Sequence, residues 1–221
     1  MKYQLIIGSV ASFDDYEATL KERKAPAPKK KSIKETVPFS NTTYDFSGIN
    51  GEVYWEDREL EYSFEITADT PEELEQKRMA FSSWVMNVSA ENIYDPFVPD
   101  YHYRGTFEDI SYDDDESLEK TTITVKFSAY PYKIANDAKA YTVGVMVDGE
   151  SEVAVINNSS HPVTPTITTT GATVIIDGET YTLSAGTYTD SKIKLAVGAT
   201  TIVCTSTGTS ITNISFNEEV F

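Results

Sequence analysis

Apolar and polar residues alternate along several short stretches of this chain, most clearly between residues 59 and 66. Four apolar side chains alternate there with four polar ones: Leu60, Tyr62, Phe64 and Ile66 with Glu59, Glu61, Ser63 and Glu65. A period of two is typical of a β-strand with one apolar and one charged face. We therefore expect one side of this strand in a hydrophobic core and the other in water or against a polar partner.

A sustained helical pattern occurs once, over residues 71–88. Thr70 is a favourable N-cap residue, Pro71 suits the first helical position, and Glu73 completes a capping box. Apolar side chains then recur near a period of 3.6: Leu74, Phe81, Val85 and Val88, with Trp84 beside them. Because no other helix is predicted, this one should pack on a sheet.

The composition changes after residue 133, which predicts a domain boundary between residues 133 and 140. The first 133 residues contain 26 acidic and 15 basic residues, whereas the remainder contains 9 and 3. The second part consists of short β-forming runs separated by turns such as Asp148-Gly149 and Asp177-Gly178. The predicted strands are Tyr141–Val147, Glu152–Ile156, Pro165–Thr169, Thr173–Ile176, Thr180–Leu183, Ile193–Leu195, Thr201–Cys204 and Ser210–Phe216. We predict a mainly β protein with two β-sandwich domains: residues 1–133 with one flanking α-helix, and residues 134–221 as a small sandwich or jelly roll.

The net charge of −17 argues against a protein that binds nucleic acid or an anionic membrane by charge neutralisation. The single cysteine, Cys204, excludes an intrachain disulfide and a cysteine-based zinc site, and its neighbours favour a buried side chain. The apolar run at the N-terminus is too short for a signal peptide, and no run approaches the ~20 residues that span a bilayer. We therefore expect a protein that folds in a reducing cytosol.

The segment from Glu108 to Glu119 contains seven acidic residues and no basic one. Its centre, Asp113-Asp114-Asp115-Glu116, resembles a calcium-binding loop only superficially, because it lacks the spaced ligands and central glycine of an EF-hand. A solvated hairpin tip explains the segment better. The β-forming run from Thr121 to Tyr130 then returns the hairpin.

Residues 21–34 form a basic, proline-containing segment within an arm that extends to residue 40. Its lysines include Lys24, Lys29, Lys30, Lys31 and Lys34. The alternating prolines favour an extended path without regular hydrogen bonds. Two interpretations remain open, a solvated loop or an arm that lies on the acidic face of a neighbouring subunit.

The sequence contains no motif for catalysis, metal binding or cofactor binding. His102 and His161 have no second histidine at metal-ligand spacing, and nucleophile-elbow, phosphate-loop and dinucleotide motifs are absent. With 35 acidic residues some close carboxylate pairs are expected by chance, so such a pair would not by itself indicate an enzyme. The many tyrosines could stack on sugars, but on strands they are more often half-buried core or subunit contacts.

Several segments occur in an order that points to a family. In the first domain they are Val37–Asn41, Tyr44–Ser47, Tyr54–Phe64, the predicted helix, Asp95-Pro96, Tyr101–Gly105 and Phe127–Lys133. In the second domain they are Ile156–Ser159, Pro165–Thr168 and Leu195–Ile202. Together they resemble the distal tail proteins of long-tailed, siphovirus-type phages or prophages of Gram-positive bacteria. The lysine triplet Lys29–Lys31 and the short second domain depart from that pattern.

The resemblance implies a tail-tube-like first domain and a galectin-like second domain, the latter without implied lectin activity. It also implies a non-enzymatic structural protein of the virion tail tip or baseplate, made in the bacterial host cytoplasm. Six copies would form a ring through their first domains, joining the tail tube protein to tail-associated and receptor-binding proteins. DNA would only pass through a central channel, and no cofactor or membrane contact is expected.

Two hypotheses place residues in that ring. The acidic residues Asp113, Asp114, Asp115 and Glu116 would face the channel, where they repel DNA phosphates. The lysines Lys24, Lys29, Lys30, Lys31 and Lys34 would hold the arm against a neighbouring subunit. The alternative function is a carbohydrate-binding module that recognises host cell-wall glycan through the second domain, and a cell-wall hydrolase is a third.

Overall fold

A computed structural model of the chain describes residues 3–36, 39, 41–47, 53–115, 119–145 and 147–221. Contacts between Cα atoms divide the chain into two compact units. The first extends to Lys133 and includes the last residue, Phe221, whose ring lies 4.7 Å from that of Trp55 and 4.9 Å from that of Tyr132. The second runs from Ile134 to Val220.

Most strands of the first unit belong to one antiparallel sheet. The elements in chain order are β1 (Ile6–Ile7), β2 (Val10–Ala11), α1 (Ser12–Tyr16), β3 (Thr19–Lys24), β4 (Lys34–Thr36), β5 (Thr43–Asp45), β6 (Arg58–Thr67), α2 (Pro71–Met86), β7 (Glu91–Tyr94), β8 (Tyr101–Asp114) and β9 (Lys120–Ala129). Seven strands lie in the order β2-β1-β7-β8-β9-β6-β3. Within the described ranges, strands β4 and β5 form a two-stranded sheet of their own.

This sheet is continuous, whereas the sequence predicts two stacked sheets in the first domain. Its two ends approach each other. The Leu20 N–H on β3 donates to the carbonyl of Tyr3, which lies just before β1, at 3.2 Å. The pairing register shifts between Leu20 and Glu22 on β3 and between Phe107 and Asp109 on β8. Such irregularities bend a strand and increase its twist. A single sheet thereby rolls around the core that a sandwich would enclose between two sheets.

Strand β6 and helix α2 build this core as the sequence predicts. Leu60, Tyr62, Phe64 and Ile66 on β6 are fully buried. The helix buries Leu74, Phe81 and Val85, and Val88 follows it into the same cluster. The rings of Phe81 and Phe64 lie 5.0 Å apart and join the helix to the sheet.

The predicted N-terminal signals of α2 are present. The Thr70 hydroxyl accepts the Glu73 N–H at 3.2 Å, and the Glu73 carboxylate accepts the Asp69 N–H at 3.3 Å. The first bond satisfies an amide donor that a helix start leaves without an intrahelical partner, and the second ties the residue before the cap, Asp69, to the first turn. The helix ends at Met86 rather than at residue 88, because the next two amides donate to carbonyls three residues earlier, as in a 3₁₀ turn.

The prediction of a single helix is wrong, because α1 forms a second, short one. The Ser12 N–H donates to the Leu5 carbonyl at 2.9 Å, and the Ser12 hydroxyl accepts the Leu5 N–H at 3.1 Å. Glu17 ends the helix in a left-handed conformation with φ of 57°. Five residues held by such distant contacts show no helical periodicity, so the sequence pattern could not reveal them.

Two four-stranded antiparallel sheets make up most of the second unit. Their strands are β11 (Lys139–Val145), β12 (Gly149–Asn157), β13 (Thr166–Thr169), β14 (Ala172–Ile176), β15 (Glu179–Leu183), β16 (Gly186–Tyr188), β17 (Gly198–Ser206) and β18 (Ser210–Phe216). Two short strands outside these sheets, β10 (Lys133–Ala135) and β19 (Glu219–Val220), pair with each other. The sheet orders are β11-β18-β13-β16 and β12-β17-β14-β15. Side chains of both sheets share one apolar core, which makes this unit a β-sandwich.

The strands of this unit differ from prediction at two places. The run from Ile193 to Leu195, predicted as a strand, makes only a single bridge between Leu195 and Val163. Strand β16, which pairs with β13, is not predicted, because its three residues include Gly186 with φ of 158° and show no alternation.

Candidate functional site

The outer end of the β8–β9 hairpin carries the predicted acidic tip. Asp113 and Asp114 are still on β8 and pair with β9, and the Asp115 N–H donates to the Lys120 carbonyl at 3.0 Å. The solvated tip is therefore shorter than the predicted acidic segment, because β8 continues through most of its acids. Glu116 lies outside the described residues.

Beyond Phe107, strand β8 is largely exposed: six of the seven residues from Glu108 to Asp114 are exposed, while Ile110 still packs against the core. Helix α2 supports this exposed part. Arg78 donates from Nη1 to the two carboxylate oxygens of Asp114 at 3.2 and 3.0 Å, and its guanidinium lies 5.1 Å from the Tyr112 ring. Asp114 is thus neutralised within its own chain, so the predicted acidic residues are not equivalent.

The outer face of strands β3, β6 and β9 carries a ladder of ion pairs. Three glutamates of β6 are paired with four lysines on the flanking strands: Glu59, Glu61 and Glu65 with Lys21, Lys24, Lys120 and Lys126. Within it, the Glu65 carboxylate lies 2.9 Å from the Lys21 Nζ and 2.6 Å from the Lys120 Nζ. The charged face of β6 was predicted to lie in water or against a polar partner. Lysines of the neighbouring strands in the same chain are that partner.

Replacing Glu65 with glutamine should lower the free energy of unfolding at pH 7 by about 0.5–1 kcal/mol and leave it unchanged near pH 2. Hydrogen bonds from Lys120 and Lys21 lower the pKa of Glu65 below its ordinary 4.5. Its stabilisation is therefore complete above that value and is lost as the pH falls through the lowered pKa. Urea unfolding at both pH values measures the difference, with the exposed Glu22→Gln as control. An equal loss at both pH values would contradict this assignment.

Lys24 belongs to the ladder and not to a free arm, because it lies on β3 and pairs with Glu61. The other four predicted lysines lie on a two-stranded extension, which we define as residues 29–36, 41–47 and 53–56. Its strands are joined by β4–β5 pairing and by hydrogen bonds such as Lys31 N–H to the Tyr54 carbonyl at 2.9 Å. The prediction that the basic segment lacks regular hydrogen bonds is therefore wrong up to Lys24, which lies on β3, and again from Lys29 onward.

A buried polar cluster, which the sequence did not reveal, joins β3, β6, β8 and the end of β7. Asp95 accepts hydrogen bonds from the Arg23 Nε, from the Tyr62 hydroxyl at 3.0 Å and from the Phe97 N–H at 2.9 Å. Arg23 also donates to the Tyr103 hydroxyl at 3.1 Å. Burial and the nearby Asp95 carboxylate raise the pKa of Tyr62 well above its ordinary value, so its hydroxyl stays a donor.

Arg58, beside this cluster, is buried with only 4% exposure. Its guanidinium lies over the Tyr103 ring at 5.4 Å, while its Nε and Nη2 have no hydrogen-bond partner among the described residues. Burial lowers the pKa of Arg58. The sequence contained one sign of this burial. Arg58 is two residues before Leu60 and four before Tyr62, so the alternation on β6 places its side chain on the same inward face.

The two histidines and the cysteine, which were considered for metal binding or catalysis, make ordinary structural contacts. His102 is buried with its ring 5.3 Å from that of Tyr94, and the His161 Nε2 lies 2.7 Å from Glu219. Cys204 is buried as predicted, and burial raises its pKa. In the described part of the chain, no group of three or more His, Cys, Asp and Glu residues could hold a metal ion. No helix among those residues has the length and apolarity to cross a membrane.

The first unit is a rolled sheet with helix α2 and the β8–β9 hairpin, and a small sandwich follows it along the chain. This is a mainly β fold of the phage distal tail (Dit) type. Over 98% of this chain and 99% of the other, the structure is similar to the Dit protein of phage SPP1, with a TM-score of 0.69 and 16% sequence identity. The SPP1 protein is described as a paradigm of the hub adsorption apparatus in phages that infect Gram-positive bacteria. The resemblance predicted from the sequence is thus confirmed for the fold.

A second solved structure, the baseplate of phage P2 in its activated conformation with calcium, aligns over 97% of this chain and 98% of the matched chain. Its TM-score is 0.46 and the sequence identity is 8%. No protein-family profile and no curated protein sequence matches the chain.

Proposed function

We propose that this chain is a non-enzymatic structural protein of the tail tip or baseplate of a phage or prophage. Six copies form a ring through their first units, which are tail-tube-like, while the galectin-like second units lie outside the ring-forming contacts. The ring joins the tail tube to tail-associated and receptor-binding proteins. The similarity to SPP1 Dit carries this proposal, because it extends over both units and nearly the full length of both chains.

Light scattering of the full chain over a wide concentration range, with electron microscopy of the largest species, tests the ring. We expect a species of six chains with a central opening. A chain that stays monomeric at every concentration, or that closes with a different number of copies, would contradict the proposed assembly.

The acidic hairpin suits a channel through which DNA passes without binding. Asp113 and Asp115 lie at the exposed end of the β8–β9 hairpin, and the whole chain carries a charge of −17. A wall of carboxylates repels phosphates and offers no gain from counterion release. In the proposed ring these two residues face the channel together with Glu116, whereas Asp114 is already paired with Arg78.

Replacing Asp113 and Asp115 with asparagine should increase the retention of double-stranded DNA by the assembled ring about tenfold at low salt, because twelve negative charges leave the channel wall. The effect should vanish at high salt. The matched control is Glu150→Gln with Glu152→Gln, which removes the same charge from β12 of the second unit. Equal DNA retention by both double variants would place the hairpin away from the channel.

Glycan binding by the second unit, the alternative function, has weaker support. The outward row across β11, β18, β13 and β16 consists of Thr142, Asn213, Thr168 and Thr187. The Thr142 hydroxyl donates to the Asn213 side chain at 2.7 Å, and the hydroxyls of Thr168 and Thr187 lie 3.0 Å apart. These groups already bind one another across the strands. A glycan array probed with the full chain tests the alternative, and specific binding would favour it.

A further inference from the structure

We propose that Arg58, together with Lys133, forms a binding site for a small oxyanion at the end of the rolled sheet where β6 begins. The ligand class is a free ion that offers two oxygens on one centre, such as phosphate or acetate. The site lies within the first unit of a single chain. It goes beyond the proposed ring and does not depend on it.

The buried charges at this end of the sheet are unevenly matched. The Arg23 guanidinium is paired with Asp95, whose carboxylate is buried. Arg58 is 4% exposed, and within the ranges that the structure describes neither Arg58 nor Lys133 has an ion-pair partner. A charge buried without a counter-charge is strongly disfavoured, and proteins pair such groups. The cluster of three cations and one carboxylate therefore needs further negative charge.

The three cations are close enough to act on one another. Burial, followed by the charges of Arg58 and Arg23, lowers the pKa of Lys133. Burial also lowers the pKa of Arg58, and the charge of Arg23 acts in the same direction. A bound anion relieves this repulsion because it stabilises the charged form of each base. A water molecule supplies hydrogen-bond acceptors but no charge, so it meets only half of the requirement.

The free donors of Arg58 determine the shape of the ligand. They are Nε and Nη2, which share one edge of the planar guanidinium and point their N–H bonds in the same direction. Such an edge binds two oxygens of one carboxylate or phosphate through two parallel hydrogen bonds. A two-oxygen ion therefore fits this edge better than a spherical halide ion does.

Sheet register fixes the Arg58 side chain on the inner face. Arg58 pairs with Ala129 across β6 and β9, and directly paired residues share a face of the sheet. The Ala129 methyl group occupies little of the space around the guanidinium. The next inward pair along the same two strands, Leu60 and Phe127, is fully buried and bounds the site on its core side.

An aromatic ring and a buried ion pair hold the site in place before any ligand binds. The Arg58 guanidinium lies over the Tyr103 ring at 5.4 Å, and Tyr103 is 1% exposed. The Tyr103 hydroxyl accepts a hydrogen bond from Arg23 at 3.1 Å, and Arg23 is in turn held by Asp95. A donor group ordered in advance loses little conformational entropy when its ligand binds.

Isothermal titration calorimetry of the full chain with inorganic phosphate tests the site. We expect one phosphate per chain, with half-saturation below about 10 mM. Arg58→Met should weaken binding at least tenfold, and so should Arg58→Lys, which keeps the charge but lacks the two parallel donors. Lys133→Met should weaken it about threefold. The matched control is Arg104→Met, which removes an exposed arginine from β8 and should leave binding unchanged.

Urea unfolding at constant ionic strength compares the ligand classes. Phosphate stabilises many proteins by exclusion from their surfaces, so the informative quantity is the difference between the wild-type chain and Arg58→Met. Phosphate and acetate should raise the unfolding midpoint of the wild-type chain more than that of the variant, whereas chloride should affect both alike. An equal rise in both proteins, without saturable phosphate binding, would overturn the site and assign its donors to water. Chloride effects as large as those of phosphate would overturn the oxyanion class.

Discussion

Replacing Asp95 with alanine is expected to lower the free energy of unfolding of the first unit by about 3–5 kcal/mol. Asp95 is 2% exposed and accepts hydrogen bonds from Arg23, Tyr62 and the Phe97 amide. Its removal leaves a partly buried guanidinium without a counter-charge and buried donors without acceptors. Breaking one side of such a pair costs far more than the pair itself contributes, because the remaining charge stays desolvated.

Tryptophan fluorescence during urea unfolding measures this effect, since both tryptophans, Trp55 and Trp84, belong to the first unit. Asp114→Ala removes a carboxylate from an exposed ion pair and should cost no more than about 1 kcal/mol. Arg58→Met serves as a control of opposite sign. It should raise the free energy of unfolding by about 1 kcal/mol, because it replaces buried donors that lack partners with an apolar side chain. A large loss with Arg58→Met would show that the contacts of the guanidinium with Tyr103 outweigh the cost of its two donors without partners.

The second large effect is expected at Phe81, where alanine should cost about 3–5 kcal/mol. This side chain is fully buried where α2 meets the sheet. Its ring lies 5.0 Å from that of Phe64, 5.5 Å from that of Trp84 and 6.0 Å from that of Tyr16. Truncation leaves a cavity among aromatic rings from three elements, and rings held by the backbone cannot fully close it.

The same urea experiment quantifies the loss, and near-ultraviolet circular dichroism should show weaker aromatic signals. Gln76→Ala on the exposed face of α2 is the matched control and should change stability by no more than about 0.5 kcal/mol. A cost for Phe81→Ala as small as that of the control would show that α2 does not anchor the sheet.

Local sequence patterns were sufficient to predict the elements that bury one face and expose the other. Strand β6 alternates strictly, and its four apolar residues are all buried. Helix α2 carries its capping signals within a few residues of its start, so propensity and contact geometry agree there. These elements are specified by neighbours along the chain, which a sequence pattern contains.

Long-range contacts account for what the sequence did not reveal. The Asp95 cluster brings Arg23 to a carboxylate 72 positions away, and Arg23 meets Tyr103 at a separation of 80. Helix α1 depends on Ser12 reaching Leu5, which precedes β1 and lies seven residues back along the chain. No periodicity records such encounters, because they follow from how the sheet rolls and not from local preference.

The candidate surfaces were predicted by charge but not in detail. Runs of acids and lysines identified the hairpin tip and the arm, yet the same runs did not show which charges are already paired. Asp114 is bound by Arg78, and Lys24 is bound by Glu61. The groove between α2 and β8 combines two exposed methionines with a tyrosine from a distant strand, and only the folded chain brings these together.

The ion-pair ladder on β3, β6 and β9 also bears on how accurately the chain folds. A slip of one residue would turn every side chain of β6 to the opposite face, placing three glutamates in the core and four large apolar residues in water. It would also separate each glutamate from its lysines on the neighbouring strands. The exposed charges therefore add to the free-energy difference that favours the native register of this sheet over a slipped one.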